Sequence, residues 1–155
     1  MSNRNCNNSD YGGGSTISGV RAGTAGSADT ARLNFVSGQI VDAAVKIHSR
    51  VGPGLVESVY ETILCRDLVR RGLCVERQKP ISFEYDGMWF ENVGRADIIV
   101  EDAVIVEVKS AVAVAAIHQK QLLTYLRLLD HRLGLVLNFG APLMKDGIHR
   151  IANRM

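Results

Sequence analysis

Long apolar runs are missing from this chain of 155 residues. The longest, at 111–117, falls far short of the roughly 20 residues a membrane-spanning helix needs, and no apolar stretch of signal-peptide type follows the first Met. Contact with a membrane is therefore not expected, and a cytoplasmic location is the default. Cysteine is equally scarce. Cys6, Cys65 and Cys74 are odd in number and show no CxxC spacing, which excludes a disulfide framework and gives no zinc site. Cys65 in a helical pattern and Cys74 in a strand pattern read as small core residues. Excess charge is missing too. Lys and Arg number 18 against 16 Asp and Glu, a formal net charge of +2. That balance neither demands nor excludes nucleic acid, because a basic stripe can hide inside a neutral total.

Aliphatic residues are scarce in one place, residues 1–32, which are rich in Gly, Ser and Asn around Gly12-Gly13-Gly14. Such a composition cannot bury enough apolar surface to offset its ordering entropy, so a disordered tail is expected there. Residues 33–155 are then expected to form a single domain, long enough to bury a core without disulfides or a structural metal.

What remains is patterned. Ile40, Ala44, Ile47 and Val51 recur at helical spacing and predict a helix over 34–50, broken by Gly52-Pro53-Gly54. A second helix follows over 57–71, with Val59, Ile63, Leu64 and Leu68 on its buried face and Gly72 as its stop. The period then changes to that of strands, over 73–78, 81–85, 88–92, 95–100 and 103–109. Asp86-Gly87 supplies a two-residue hairpin signal, and Glu101-Asp102 a second tight turn. A third helix over 114–129, an apolar strand over 133–139 and an edge strand over 148–152 complete an α/β order with a mixed sheet backed by helices.

Chemistry concentrates in a few residues. Glu107 and Lys109, two apart in an apolar strand, project to the same side. They are either a solvated pair at a strand end or part of a site. Asp is depleted from strands, yet Asp97 opens one. If 95–100 and 103–109 pair about the Glu101-Asp102 turn, Asp97 and Glu107 fall nearly opposite each other. Two such carboxylates repel unless a cation sits between them. Hard oxygen ligands of this kind suit Mg²⁺, with Mn²⁺ as a substitute; the other reading makes Asp97 a structural ion pair with Arg95 or Lys109. On the third helix His118, Gln121 and Tyr125 share one face. His118 reads as a boundary residue, whereas the Gln121 amide and Tyr125 phenol can orient a water or a phosphate. Glu57 is favoured in the first turn of a helix whatever the function.

Glu on a helix, Asp at a strand, Glu-x-Lys on the next strand and Gln-x-x-x-Tyr on a helix follow one another in an order that resembles the PD-(D/E)XK phosphodiesterase superfamily. Gly54, Glu57 and Tyr60, with Arg95-Ala96-Asp97, Glu107-Val108-Lys109, Gln121 to Tyr125 and Leu137-Asn138-Phe139-Gly140, resemble more narrowly the small bacterial GxxExxY family. Two features depart from the pattern. The run at 111–116 is unusually apolar, and Ala96 stands where the superfamily has Pro.

The resemblance implies an αβββαβ restriction-endonuclease-like core and a Mg²⁺-dependent nuclease acting on DNA or RNA. Asp97 and Glu107 would be its metal ligands, Lys109 would position or activate the attacking water, Glu57 would be an accessory acid, and Gln121 and Tyr125 would complete the site. The rival expectation is a non-catalytic module of the same fold acting through a partner. A homodimer or a protein partner is a further expectation, since a second surface would help so small a domain to hold a duplex.

Overall fold

A computed structural model describes residues 25–154. Helices α1 (Ala25–Val51) and α2 (Glu57–Arg70) come first, followed by strands β1 (Val75–Tyr85), β2 (Met88–Val100) and β3 (Val104–Lys109). Helix α3 (Ala116–Leu128), strand β4 (Leu133–Asn138), a 3-10 turn over Met144–Gly147 and strand β5 (Ile148–Ala152) complete the chain. The strands form one mixed sheet in the order β1-β2-β3-β4-β5. Only β3 and β4 run parallel, with α3 as their crossover. The fold is α/β and contains the αβββαβ order, as expected.

The sheet separates two apolar clusters. Val104, Val106 and Val108 of β3 pack with Leu33, Ile40, Ala44 and Ile47 of α1 and with Tyr60, Leu64 and Leu68 of α2. Ile105 points the other way, into a cluster with Ile99, Val136 and the α3 residues Leu122, Tyr125 and Leu126. Strands buried on both faces lose the alternation of apolar and polar residues, which is why β4 is buried at every position.

Three boundaries differ from the sequence expectation. Helix α1 starts at Ala25, so residues 25–32, assigned by composition to a tail, form its first turns; residues 1–24 lie outside the described residues. Composition could not register what holds those turns. Arg132 donates to Asp29 at 2.5 Å, and Arg32 donates to the Glu101 carbonyl at 2.6 Å. The strands expected over 73–78 and 81–85 are one strand, β1, and those over 88–92 and 95–100 are one strand, β2.

Both expected turns form. Asp86 and Gly87 take φ of 50° and 76°, the doubly left-handed geometry of a type I′ hairpin turn. Glu101 and Asp102 take the same region at 56° and 47° without a glycine. Their strain is offset by contacts to Cys74: the Glu101 carboxylate accepts the Cys74 N–H at 2.7 Å, and the Glu101 N–H donates to the Cys74 carbonyl at 2.9 Å.

Candidate active site

The site forms where β2 leaves β3. Their ladder is regular from Val100↔Val104 to Ile98↔Val106 and stops there. On the other edge of β2, pairing with β1 skips one position between Arg77↔Ile98 and Lys79↔Ala96, and Gln78 in the gap takes φ of 51°. Residues two apart on a regular strand face the same side, yet Ala96 belongs to the α3-side cluster and Ile98 to the α1/α2-side cluster. The strand therefore rotates at Asp97. With no backbone partner left, the Val108 N–H is accepted instead by the Asp97 carboxylate at 2.9 Å. Asp97 does not open a strand; it lies within β2, at the kink.

Glu107 and Lys109 project beside it from β3. Glu107 is only 3% exposed. The Lys109 ammonium donates to Glu107 Oε2 at 3.3 Å and lies 3.8 Å from Asp97 Oδ2. Glu107 Oε1 is buried and accepts no hydrogen bond. An orphaned, buried carboxylate oxygen is costly.

The electrostatics show the same deficit of positive charge. Burial pushes the Glu107 carboxyl up to about 7, the charge on Asp97 adds to this, and Lys109 only partly opposes it. Burial also raises Asp97 against the pull of the Val108 N–H and Lys109, with the Glu61 charge adding to the rise. For Lys109 burial acts to lower the pKa, but Glu107, Asp97 and Glu57 outweigh it and hold the group above its ordinary value. One ammonium is shared among more negative charge than it can neutralise.

Helix α2 closes the site from one side. Tyr60, fully buried and stacked on Phe139 at 4.4 Å, donates its hydroxyl to the Gly52 carbonyl at 2.6 Å and accepts the Leu55 N–H at 3.2 Å. It thereby ties down the loop that launches α2. Glu57 in the first turn accepts the Ser110 N–H at 3.1 Å, and the Ser110 hydroxyl donates to the Leu55 carbonyl at 2.7 Å. Glu57 is thus fastened to the end of β3, just past Lys109. The Asn138 amide shapes the same end of the sheet, bonding both the N–H and the carbonyl of Ala111 at 2.9 Å.

Gln121 and Tyr125 lie on α3. Gln121 donates to the Tyr125 hydroxyl at 2.7 Å, and the phenol ring packs over Gly94. Among the described residues no hydrogen bond joins either side chain to Asp97, Glu107 or Lys109. His118 lies on the same helix with its Nδ1 buried and unpartnered.

Sequence reasoning passed over a group next to Asp97. Glu61, one turn after Glu57, is buried and accepts from Arg77 at 3.0 Å and from Gln78 at 2.9 Å; Gln78 also reaches Asp97 at 3.4 Å. The four-residue spacing from Glu57 to Glu61 was a legible signal that both carboxylates share a helix face.

The donor set fits a hard divalent cation. Among the described residues no three acidic, His or Cys side chains converge as a ligand cluster, but Mg²⁺ needs only one or two carboxylates and keeps several waters. Asp97 and Glu107 supply two, and Glu107 Oε1 is left without any other partner.

A family model described as the PD-(D/E)XK nuclease superfamily matches residues 34–151. The chain belongs to the PD-(D/E)XK nuclease superfamily. No curated protein matches this PD-(D/E)XK chain. Among solved structures it is similar to the one titled "Crystal structure of SSO0001", at 15% identity and a TM-score of 0.39, covering 85% of this chain and 78% of that one. Nucleases of the PD-(D/E)XK superfamily generally depend on a divalent metal and bind nucleic acid. No helix among the described residues of this member is long and apolar enough to cross a membrane.

Proposed function

We propose that this protein is a metal-dependent nuclease that hydrolyses phosphodiester bonds in DNA or RNA, from the GxxExxY branch of its superfamily. One observation carries the reading: a single ammonium, Lys109, shared between two carboxylates, one of which keeps a buried oxygen without a partner. The spacing of Gly54, Glu57 and Tyr60 supports the narrower family.

Asp97 and Glu107 would hold Mg²⁺ or Mn²⁺, which when bound neutralises charge on phosphoryl oxygens and lowers the pKa of coordinated water. In the metal-free protein Lys109 is held above its ordinary pKa, despite its burial, by Glu107, Asp97 and Glu57. Beside the metal its role is to position or activate the attacking water, or to stabilise the charge that develops on the phosphoryl group. Glu57 fixes the backbone at Ser110 and so the end of the strand that carries Lys109. The Gln121–Tyr125 pair offers a polar edge on α3 toward which a phosphate could be oriented.

The test is cleavage of labelled single- and double-stranded DNA and RNA in Mg²⁺ or Mn²⁺, with EDTA, Asp97→Ala and Lys109→Ala as controls. Metal-dependent cleavage lost in both variants supports the reading. The absence of both cleavage and calorimetric metal binding would overturn it in favour of a module that acts through a partner.

A further inference from the structure

Two surfaces outside the site remain unexplained, and they complement each other. The first is the far end of the β1–β2 hairpin. Strand β2 pairs with β3 only over Ile98 to Val100, so the pairs Phe83↔Phe90, Glu84↔Trp89 and Tyr85↔Met88 belong to a two-stranded ribbon that extends beyond the sheet. Such a ribbon is marginal in water unless something packs on it. This one carries Phe83, Tyr85, Met88 and Phe90 on one face and Trp89 on the other. Tyr85 is 66% exposed and Trp89 60%. From Ile81 to Gly94 there is no Lys or Arg, while Glu84, Asp86 and Glu91 give the tip three negative charges. An apolar tip of that sign is repelled by phosphates, which favours a protein surface over a nucleic acid as its partner.

The second is a groove of about 500 Å³ between α1 and α2. Its floor is Ile47, Val51 and Ile63, and its walls carry Lys46, Arg50, Arg66 and Arg70. Its single carboxylate, Asp67, already binds Arg71, and Lys46 is held by Asp42. Arg50, Arg66 and Arg70 are exposed and have no acidic partner among the described residues. Each pair, Lys46 with Arg50 and Arg66 with Arg70, is four apart, so both helices turn a basic edge to the groove.

We propose that the acidic, aromatic hairpin tip of one copy docks in the basic, apolar-floored groove of a second copy, and the reverse, as a two-fold dimer. The tip supplies apolar side chains flanked by carboxylates; the groove supplies an apolar floor flanked by guanidinium groups. Tip and groove share no residue, so neither contact occupies the surface the other needs. Closure doubles a small contact toward the roughly 1,200–2,000 Å² of a stable interface.

The inference does not depend on nuclease activity, and its test reads mass and fluorescence. Trp89 is the sole tryptophan, so its emission reports on the tip alone. In light scattering the full chain should run at twice its 16.9 kDa mass, and on dilution to monomer the Trp89 emission should move to the red. Arg66→Glu with Arg70→Glu, or Glu84→Lys with Glu91→Lys, should each give a monomer with unchanged circular dichroism. Mixing the two variants restores opposite signs at both contacts, so a dimer containing one of each should reappear. A chain that stays monomeric at all concentrations overturns the proposal, as does a dimer that survives both reversals. Loss of DNA or RNA binding in the groove variant with no change in mass would also overturn it, handing the groove to a nucleic-acid backbone.

Discussion

Burial, and positive charge too scarce to compensate for it, act on Glu107 in the same direction, keeping its carboxyl protonated up to about pH 7 in the metal-free protein. The unfolded chain releases that proton near the ordinary value of 4.5. The folded state thus binds more protons than the unfolded state between those limits. Stability is full below the lower pKa, falls as pH rises toward 7, and is flat above it. The size of the fall is on the order of 3 kcal/mol, and the raised pKa of Asp97 adds in the same direction. Urea unfolding in EDTA at a series of pH values should show this slope, and Glu107→Gln should remove most of it while abolishing cleavage. A slope unchanged by Glu107→Gln would place the buried charge elsewhere. The nearness of Asp97 to Glu107 was legible because the strand period and the Glu101-Asp102 turn set the register up to Ile98↔Val106, one step short of them. The neighbourhood of Asp97 was not. Gln78 reaches it only because a non-glycine residue takes a left-handed conformation inside a strand, and no local pattern announces that.

Elements were legible where period and punctuation agreed. Gly72 ends α2 in a left-handed conformation at φ 83°, and the edge strand β5 covers 148–152 as expected. The misreadings arose where tertiary contacts decide. The early turns of α1 are held from Arg132 and Glu101, distant in sequence, and β1 and β2 run on through residues whose alternation is interrupted by a register shift between Ile81 and Phe83. Tyr60 shows how an element serves the site without touching it. Tyr60→Phe keeps the ring stacked on Phe139 but strands the Gly52 carbonyl and the Leu55 N–H. A loss of about 1–2 kcal/mol is expected in urea unfolding, with slower cleavage as the loop that leads into Glu57 loosens. The close approach just past the same end of β3 is equally specific. A methyl group at Gly140 would overlap the Ala111 backbone, so Gly140→Ala should cost about 1–3 kcal/mol, and an undiminished unfolding midpoint would contradict the packing described here.

At the scale of the whole molecule, the site lies at the junction of two apolar clusters, with Ala96 in one, Ile98 in the other, and Asp97 between them. Neither cluster needs an ion to form, so EDTA should leave the circular dichroism unchanged. An ion held by Asp97 and Glu107 would tie β2 to β3 beyond their last ladder pair, a contact the unfolded chain cannot make. Binding to the native state alone stabilises by about 2.7 kcal/mol at a hundredfold excess over Kd, which for a domain of this size raises the unfolding midpoint by several degrees. Mg²⁺ should therefore raise the midpoint of the native protein, and Asp97→Ala should abolish the rise. Lys109→Ala separates the two roles assigned to the site. Its ammonium shares the same carboxylates and so competes with the metal for them. Removing it should preserve or enlarge the Mg²⁺-dependent rise while eliminating cleavage. If Lys109→Ala instead loses the rise as completely as Asp97→Ala, the ammonium holds the two carboxylates together for the metal, and its effect on cleavage would follow from metal loss alone.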